Sequence, residues 1–134
     1  MTDGTIDHIG IATSSLDESQ QLWSILGFTQ GEDQINSEEG VKIRFMNGQT
    51  STRIELLEPL GDDTPVGKFI SKYGPGIQQI AVRVADIEKT ISVLLSVGVK
   101  MVSETPTLGA DDHRIAFIHP SSAGGVLIEL VESD

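Results

Sequence analysis

The sequence predicts an α+β protein made of two paired β-α-β-β-β modules, joined in a curved, barrel-like mixed sheet with the helices outside. Three observations predict it. The stretch "IDHIGIA" at residues 6–12 is echoed by "IQQIAVRV" at 77–84. His8 and Gln79 stand as far apart in the chain as Gly27 and Gly98, so the echo keeps its register through the strand and helix that follow. Finally, a unit of only four strands cannot bury both faces of its sheet, so two copies must share a core.

The elements follow in order. Ile6–Ala12 alternates and is rich in β-branched residues, which predicts a strand. Ser14, Ser15 and Asp17 are N-cap candidates for a helix through "LDESQQLWSIL", with Leu16, Leu22, Trp23 and Leu26 on one face. Gly27 ends that helix, and "FTQGEDQI" predicts a second strand. "VKIRFMN" and "TRIELLE" predict two more, joined by a turn at Asn47-Gly48. The second half repeats the plan. Strand Ile77–Val84 leads to Asp86 as cap, helix "IEKTISVLLSV" and Gly98, then strands "VKMVSE", "HRIAFIH" and "GVLIELV". The interval from Glu55 in "IELL" to Glu129 in "IELV" is slightly longer than that from His8 to Gln79, which one longer loop accounts for. We therefore expect a single domain over 1–134, with module one at 5–58, a linker at 59–75 carrying a short helix, and module two at 76–133.

Composition narrows the function classes. A chain of 134 residues with 38% hydrophobic and 22% charged residues supports one ordinary globular core. Nine Lys and Arg stand against twenty Asp and Glu, a formal net charge of −11. That argues against nucleic acid, whose phosphates call for clustered cations. An anionic ligand must then be held by local groups rather than gathered by long-range attraction. There is no cysteine, so disulfides and thiolate metal sites are excluded. No apolar run approaches the roughly 20 residues that span a bilayer, no basic amphipathic stretch points to a membrane surface, and "MTDGTIDHIG" carries no secretory pattern. The expected location is the cytoplasm.

Four polar residues stand out on the strands. His8 shares a face with Gly10 and Ala12, and Gln79 shares one with Ala81, small neighbours that predict an open face. Glu55 lies between Ile54 and Leu56, and Glu129 between Ile128 and Leu130. A carboxylate inside an apolar strand is costly to bury unless paired, protonated or bound to a cation. Singly, a strand His is more often a hydrogen-bonded core residue, and a strand Glu more often faces water. At equivalent positions of a repeat, four such residues make independent accident a poor explanation. Oxygen and imidazole donors without thiolate suit a divalent ion such as Mg²⁺, Mn²⁺, Co²⁺, Ni²⁺ or Zn²⁺.

The paired modules resemble the vicinal oxygen chelate superfamily, with its glyoxalase-like fold. Within it the chain is similar to the methylmalonyl-CoA epimerase family over nearly its whole length. The stretches that carry the likeness are "IDHIGIA", "EEGVKIRF", "IELLEPLGDDTPVGKFI", "GPGIQQIAVRVADIE" and "RIAFIHPSSAGGVLIELVE". The "ELLEPLG" and "HP…GGVLIEL" stretches are the more specific to the epimerases.

The resemblance implies that His8, Glu55 and Glu129 are metal ligands. The remaining ligand would be the second His of a Gly-x-His-His-Ile stretch, and "GIQQIA" places Gln79 there, as a weaker neutral oxygen donor favouring harder ions. Gln78 is expected to point away from the site. The implied chemistry is interconversion of (R)- and (S)-methylmalonyl-CoA by proton exchange at C2 through an enolate, with one divalent ion as cofactor. Inversion needs an acid/base on each side of the carbon. Glu38 matches the family's base on one face, and Glu129 is the candidate on the other. Against this, Glu38 sits beside Glu39 in an acidic turn, where a solvated carboxylate is the plain reading. Ser121 and Ser122 stand where relatives often carry Lys, leaving Lys68, Lys72 and Arg114 as candidates for the CoA phosphates. Two alternatives stay open: a glyoxalase-type lyase or isomerase, and a non-catalytic binding protein of the bleomycin-resistance kind, for which 4% aromatic residues is a poor supply. Relatives of this fold form dimers, and a homodimer is the expected assembly, with an acyl-CoA or similar small molecule as partner.

Overall fold

The computed structural model describes residues 4–133. Among them are eight strands and three α-helices, and each half of the chain follows the expected β-α-β-β-β order. The chain divides into two compact units, one spanning His8–Gln78 and the other joining the segment up to Asp7 with the chain from Gln79 onward.

In the first unit, β1 (Thr5–Ala12, beginning just before the unit boundary) is followed by α1 (Leu16–Ile25), β2 (Thr29–Asn36), β3 (Val41–Asn47) and β4 (Arg53–Pro59). Their order across the sheet is β2-β3-β4-β1, with β1 parallel to β4 and the other pairs antiparallel. Helix α1 starts where Ser15, in extended conformation, accepts a hydrogen bond from the Glu18 backbone N–H, with Asp17 and Glu18 in the first turn complementing the helix dipole. It stops at Gly27, whose φ of +98° is one that L side chains rarely adopt. Leu16 packs with Met46, Ile54 and Leu56, and Trp23 meets Phe28 edge to face at 5.4 Å. Leu22 and Leu26, expected on the same buried face, are exposed, and Ile25 is 83% exposed. The reason is geometric: the stripe that reaches the sheet runs through Leu16 and Trp23, and the apolar residues beside it turn away. A second helix, α2 (Pro65–Tyr73), lies in the expected linker, capped by Thr64 with Pro65 at its start.

The second unit holds β5 (Gly76–Val84), α3 (Ile87–Ser96), β6 (Thr107–Leu108), β7 (Arg114–Ile118) and β8 (Leu127–Glu132), β5 beginning just before the unit boundary. The order is β5-β8-β7-β6, with β5 parallel to β8. Asp86 caps α3 by accepting from the Lys89 N–H. Its buried face, Ile87 and Ile91, packs on Val84, Met101, Ala116 and Leu130.

Two sequence expectations need correction. "VKMVSE" is not a continuous strand. Met101 forms an isolated bridge to Ile118, and the Val102 N–H bonds the Phe117 carbonyl. Ser103 then turns back on Thr105 through side-chain bonds, and Pro106 has no N–H to give. Pairing resumes only at Thr107–Leu108. Likewise Asn47-Gly48 is not a two-residue turn: Asn47 pairs with Arg53, so residues 48–52 form a longer loop.

Candidate functional site

Each unit brings one expected pair together. In the first, Nε2 of His8 on β1 lies 3.0 Å from Oε2 of Glu55 on β4. The parallel register sets this contact, since Glu55 sits opposite Gly10 and the histidine reaches across the missing side chain. In the second, Nε2 of Gln79 on β5 donates a 2.8 Å hydrogen bond to Oε1 of Glu129 on β8. Glu129 sits opposite Ala81, the counterpart of Gly10. The two registers repeat one another residue for residue.

The small neighbours predicted an open face, yet all four side chains are buried: His8 and Glu55 at 3%, Glu129 at 5% and Gln79 at 6% exposure. An aromatic ring accounts for part of the cover. Phe45 on β3 pairs with Glu55 and meets the His8 ring edge to face at 6.3 Å. Its counterpart Phe117 on β7 pairs with Glu129. These phenylalanines were missed in the sequence, although "IRFMN" and "RIAFIH" carried the signal. With so few aromatics in the chain, one at the same place in each copy is informative.

The donor chemistry fits a divalent ion pair by pair. Two neighbouring ligands with bonds of about 2.1 Å at a right angle stand about 3 Å apart. His8 and Glu55 already hold that spacing, as do Gln79 and Glu129. Half a turn of the Gln79 amide would exchange its N–H for its carbonyl oxygen without moving the rest of the side chain. Among the described residues, no group of three or more His, Cys, Asp or Glu side chains stands together as a metal cluster.

Glu38 lies exposed in the turn between β2 and β3, where Asn36 Oδ1 accepts from the Glu39 N–H. Among the described residues no hydrogen bond or ion pair holds its carboxylate. Gln78 is half-buried, and its Oε1 is buried without a hydrogen-bond partner among the described residues. Lys68 and Lys72 are exposed on α2, Lys72 lying 5.2 Å over the Tyr73 ring. Arg114 is a poor phosphate ligand. Its guanidinium is held by both oxygens of Glu132 and by Glu88, and these hydrogen bonds raise its pKa and lower that of Glu132.

Two further arginines are engaged in structure. Arg44 is buried, gripping both Asp33 oxygens and also bonding Asp17 and Gln20, which ties α1 and β2 to β3. Arg83 bonds the buried Asp7 at 2.8 Å.

Residues 7–117 match the family described as the glyoxalase/bleomycin resistance protein/dioxygenase superfamily. The chain belongs to this superfamily. Among its members, the mitochondrial methylmalonyl-CoA epimerase of Dictyostelium discoideum is 38% identical over 131 residues, covering 96% of this chain and 78% of that protein. The crystal structure of methylmalonyl-CoA epimerase from Mycobacterium tuberculosis superimposes with a TM-score of 0.91 at 40% identity, covering 96% of this chain and 87% of that one. A methylmalonyl-CoA epimerase in complex with methylmalonyl-CoA and NH4+ superimposes with a TM-score of 0.91 at 35% identity, covering 97% and 94%. The α+β, glyoxalase-like fold expected from the sequence is the fold of these superfamily members.

Proposed function

We propose that this protein is an epimerase that interconverts (R)- and (S)-methylmalonyl-CoA by exchanging the C2 proton through an enolate. The observation that carries the reading is the repeated register that buries His8 beside Glu55 and Gln79 beside Glu129. Similarity to methylmalonyl-CoA epimerases over nearly the whole chain supports it.

His8, Glu55, Gln79 and Glu129 together are the ligand set for one divalent ion. When bound, that ion supplies a Lewis acid for the charge developing on the thioester oxygen. The residues themselves do the rest. Burial of the four donors excludes water and strengthens each electrostatic contact. The proton at C2 is flanked by a thioester and a carboxylate, so its removal needs only a positioned base of ordinary strength. Glu38 takes or returns it on one face of the carbon, and Glu129 serves the other. The same reading takes the acyl-CoA as substrate, and the protein as a cytoplasmic homodimer. The exposed Leu22, Ile25 and Leu26 on α1 support an apolar contact. Among the described residues no helix is long and apolar enough to cross a membrane.

Incubation with methylmalonyl-CoA in D₂O tests the reaction directly. Deuterium should enter C2, seen by NMR, with loss of stereochemical purity. Uptake without inversion would mean that one base works alone. No uptake with Mg²⁺, Mn²⁺, Co²⁺, Ni²⁺ or Zn²⁺ would overturn the reading, leaving a glyoxalase-type reaction or a ligand-binding role.

A further inference from the structure

No hydrogen bond or ion pair among the described residues holds the exposed Glu38 carboxylate, so it is placed by the backbone that carries it. That backbone is held on both sides. Before it, Asn36 Oδ1 accepts from the Glu39 N–H, closing the turn that follows β2. After it, the Gly40 carbonyl accepts a 2.8 Å hydrogen bond from the Leu60 N–H, just beyond the point where Val41 pairs with Pro59. Gly40 has a φ of +64°, in the left-handed region that favours glycine. A Cβ at this position would overlap the Thr64 methyl group, so the glycine backbone is seated directly on that methyl.

Thr64 is itself fixed. Its hydroxyl donates to the Gly61 carbonyl at 2.7 Å and accepts from the Gly67 N–H at 3.0 Å, where it caps α2. With the hydroxyl committed as donor and as acceptor, the side chain is held in one rotamer, and its methyl stays where Gly40 meets it. The corner between β4 and α2 thus supports the turn that carries Glu38. A base must keep its place relative to the C–H bond it breaks, and misplacement by about 1 Å can cost on the order of 10²-fold in rate. We infer that Gly40 and Thr64 are positioning residues for Glu38: the Thr64 methyl, set by the α2 cap, fixes the turn and with it the reach of the carboxylate. The inference rests on the reading of Glu38 as a base of the epimerase and adds what holds that base in place.

The test is epimerisation of methylmalonyl-CoA by metal-loaded protein, with each substitution made both in wild type and in Glu38→Gln. Thr64→Ser keeps the hydroxyl, and so the cap of α2, and removes only the methyl. It should lower kcat while leaving KM, metal affinity and the thermal midpoint near those of wild type. Gly40→Ala drives a Cβ into the methyl and should lower kcat further, by about 10²-fold. Adding Thr64→Ser to Gly40→Ala should restore part of that loss, because it makes room for the Cβ. Neither substitution should slow Glu38→Gln any further, since residues that act through one group are not additive with its removal. If Gly40→Ala does not fold, Thr64→Ser carries the comparison. An equal fractional loss in wild type and in Glu38→Gln, a loss carried by KM alone, or a Thr64→Ser enzyme with wild-type kcat would each overturn the inference. A Glu38→Gln enzyme with the wild-type rate is a separate result: it removes Glu38 as the base, and the inference with it.

Discussion

Gln79 donates from Nε2 to Oε1 of Glu129 at 2.8 Å, and both side chains are buried. In the repeat this pair stands where His8 and Glu55 stand in the other unit, so an amide has taken the place of an imidazole without opening the site. Glutamine keeps a donor for the buried carboxylate and, turned over, an oxygen for a cation. What it lacks is the basic nitrogen that makes imidazole the stronger ligand for borderline ions. Gln79→His should therefore tighten divalent-metal binding, most for Ni²⁺, Co²⁺ and Zn²⁺ and least for Mg²⁺. Titration calorimetry on chelator-stripped protein would check the order.

Gln79→Ala should act on stability even without metal. It leaves Glu129 buried and short of a donor, a loss of about 1–3 kcal/mol. Glu129→Gln keeps the shape and removes the charge, so it should cost less. Urea denaturation of the two metal-free variants distinguishes them, and equal losses would mean that the hydrogen bond contributes little.

His8→Ala should abolish metal uptake, since it removes the one imidazole of the proposed set. Retained uptake, with the wild-type affinity, would remove His8 and its partner Glu55 from the site. The same titration on Glu55→Gln separates loss of a ligand from loss of the histidine's orientation.

Glu38 and Glu129 should separate by function. Loss of a positioned acid or base costs about 10²–10⁴-fold in rate. Glu38→Gln should lower epimerisation by that amount and leave metal affinity unchanged, because Glu38 is exposed and not proposed as a ligand. Glu129→Gln should lower both. A Glu38→Gln enzyme with wild-type rate would show that this carboxylate is only a surface charge.

Acid should weaken the α1–β2–β3 corner. The hydrogen bond from Arg44 holds the Asp33 carboxyl below its ordinary value of 3.8, burial opposing and the charges of Arg44 and Lys42 adding to the effect. The folded pKa is thus lower than the unfolded one. Ionised Asp33 stabilises the fold fully above the unfolded value, and that contribution fades as pH falls through the folded value. Arg44 is itself raised, first by Asp33 and then by Asp17, and stays charged throughout. Arg44→Met should cost on the order of 1–3 kcal/mol at pH 7. The gap to wild type should narrow below about pH 4, measured by urea midpoints along a pH series. A gap independent of pH would mean that Arg44 acts through packing alone.

Much of the architecture is written in local pattern. Alternation in "IDHIGIA" and "VKIRFMN", caps at Ser15 and Asp86, and stops at Gly27 and Gly98 all concern residues within a turn or a strand of each other. The repeat then singled out His8, Glu55, Gln79 and Glu129, because equivalent positions are visible without knowing any contact. Lateral pairing was not visible in this way. "VKMVSE" has the composition of a strand, but a ladder needs N–H groups in register with β7, and Ser103–Pro106 interrupts them. Leu22 and Leu26 have the spacing of a buried face, but which stripe of α1 is buried depends on where the sheet lies.

By itself, then, the sequence determined the order of elements, the duplication and the four polar residues that the duplication relates, since all of these follow from periodicity and spacing along one chain. Only the tertiary structure decided which groups meet: His8 with Glu55 across the gap at Gly10, Gln79 with Glu129, Arg53 over Phe45. It also decided that Arg44 and Arg114 are occupied by carboxylates distant in sequence. Such partners are selected by strand register and by the cost of burying an uncompensated charge, and both are properties of the folded chain rather than of any local segment.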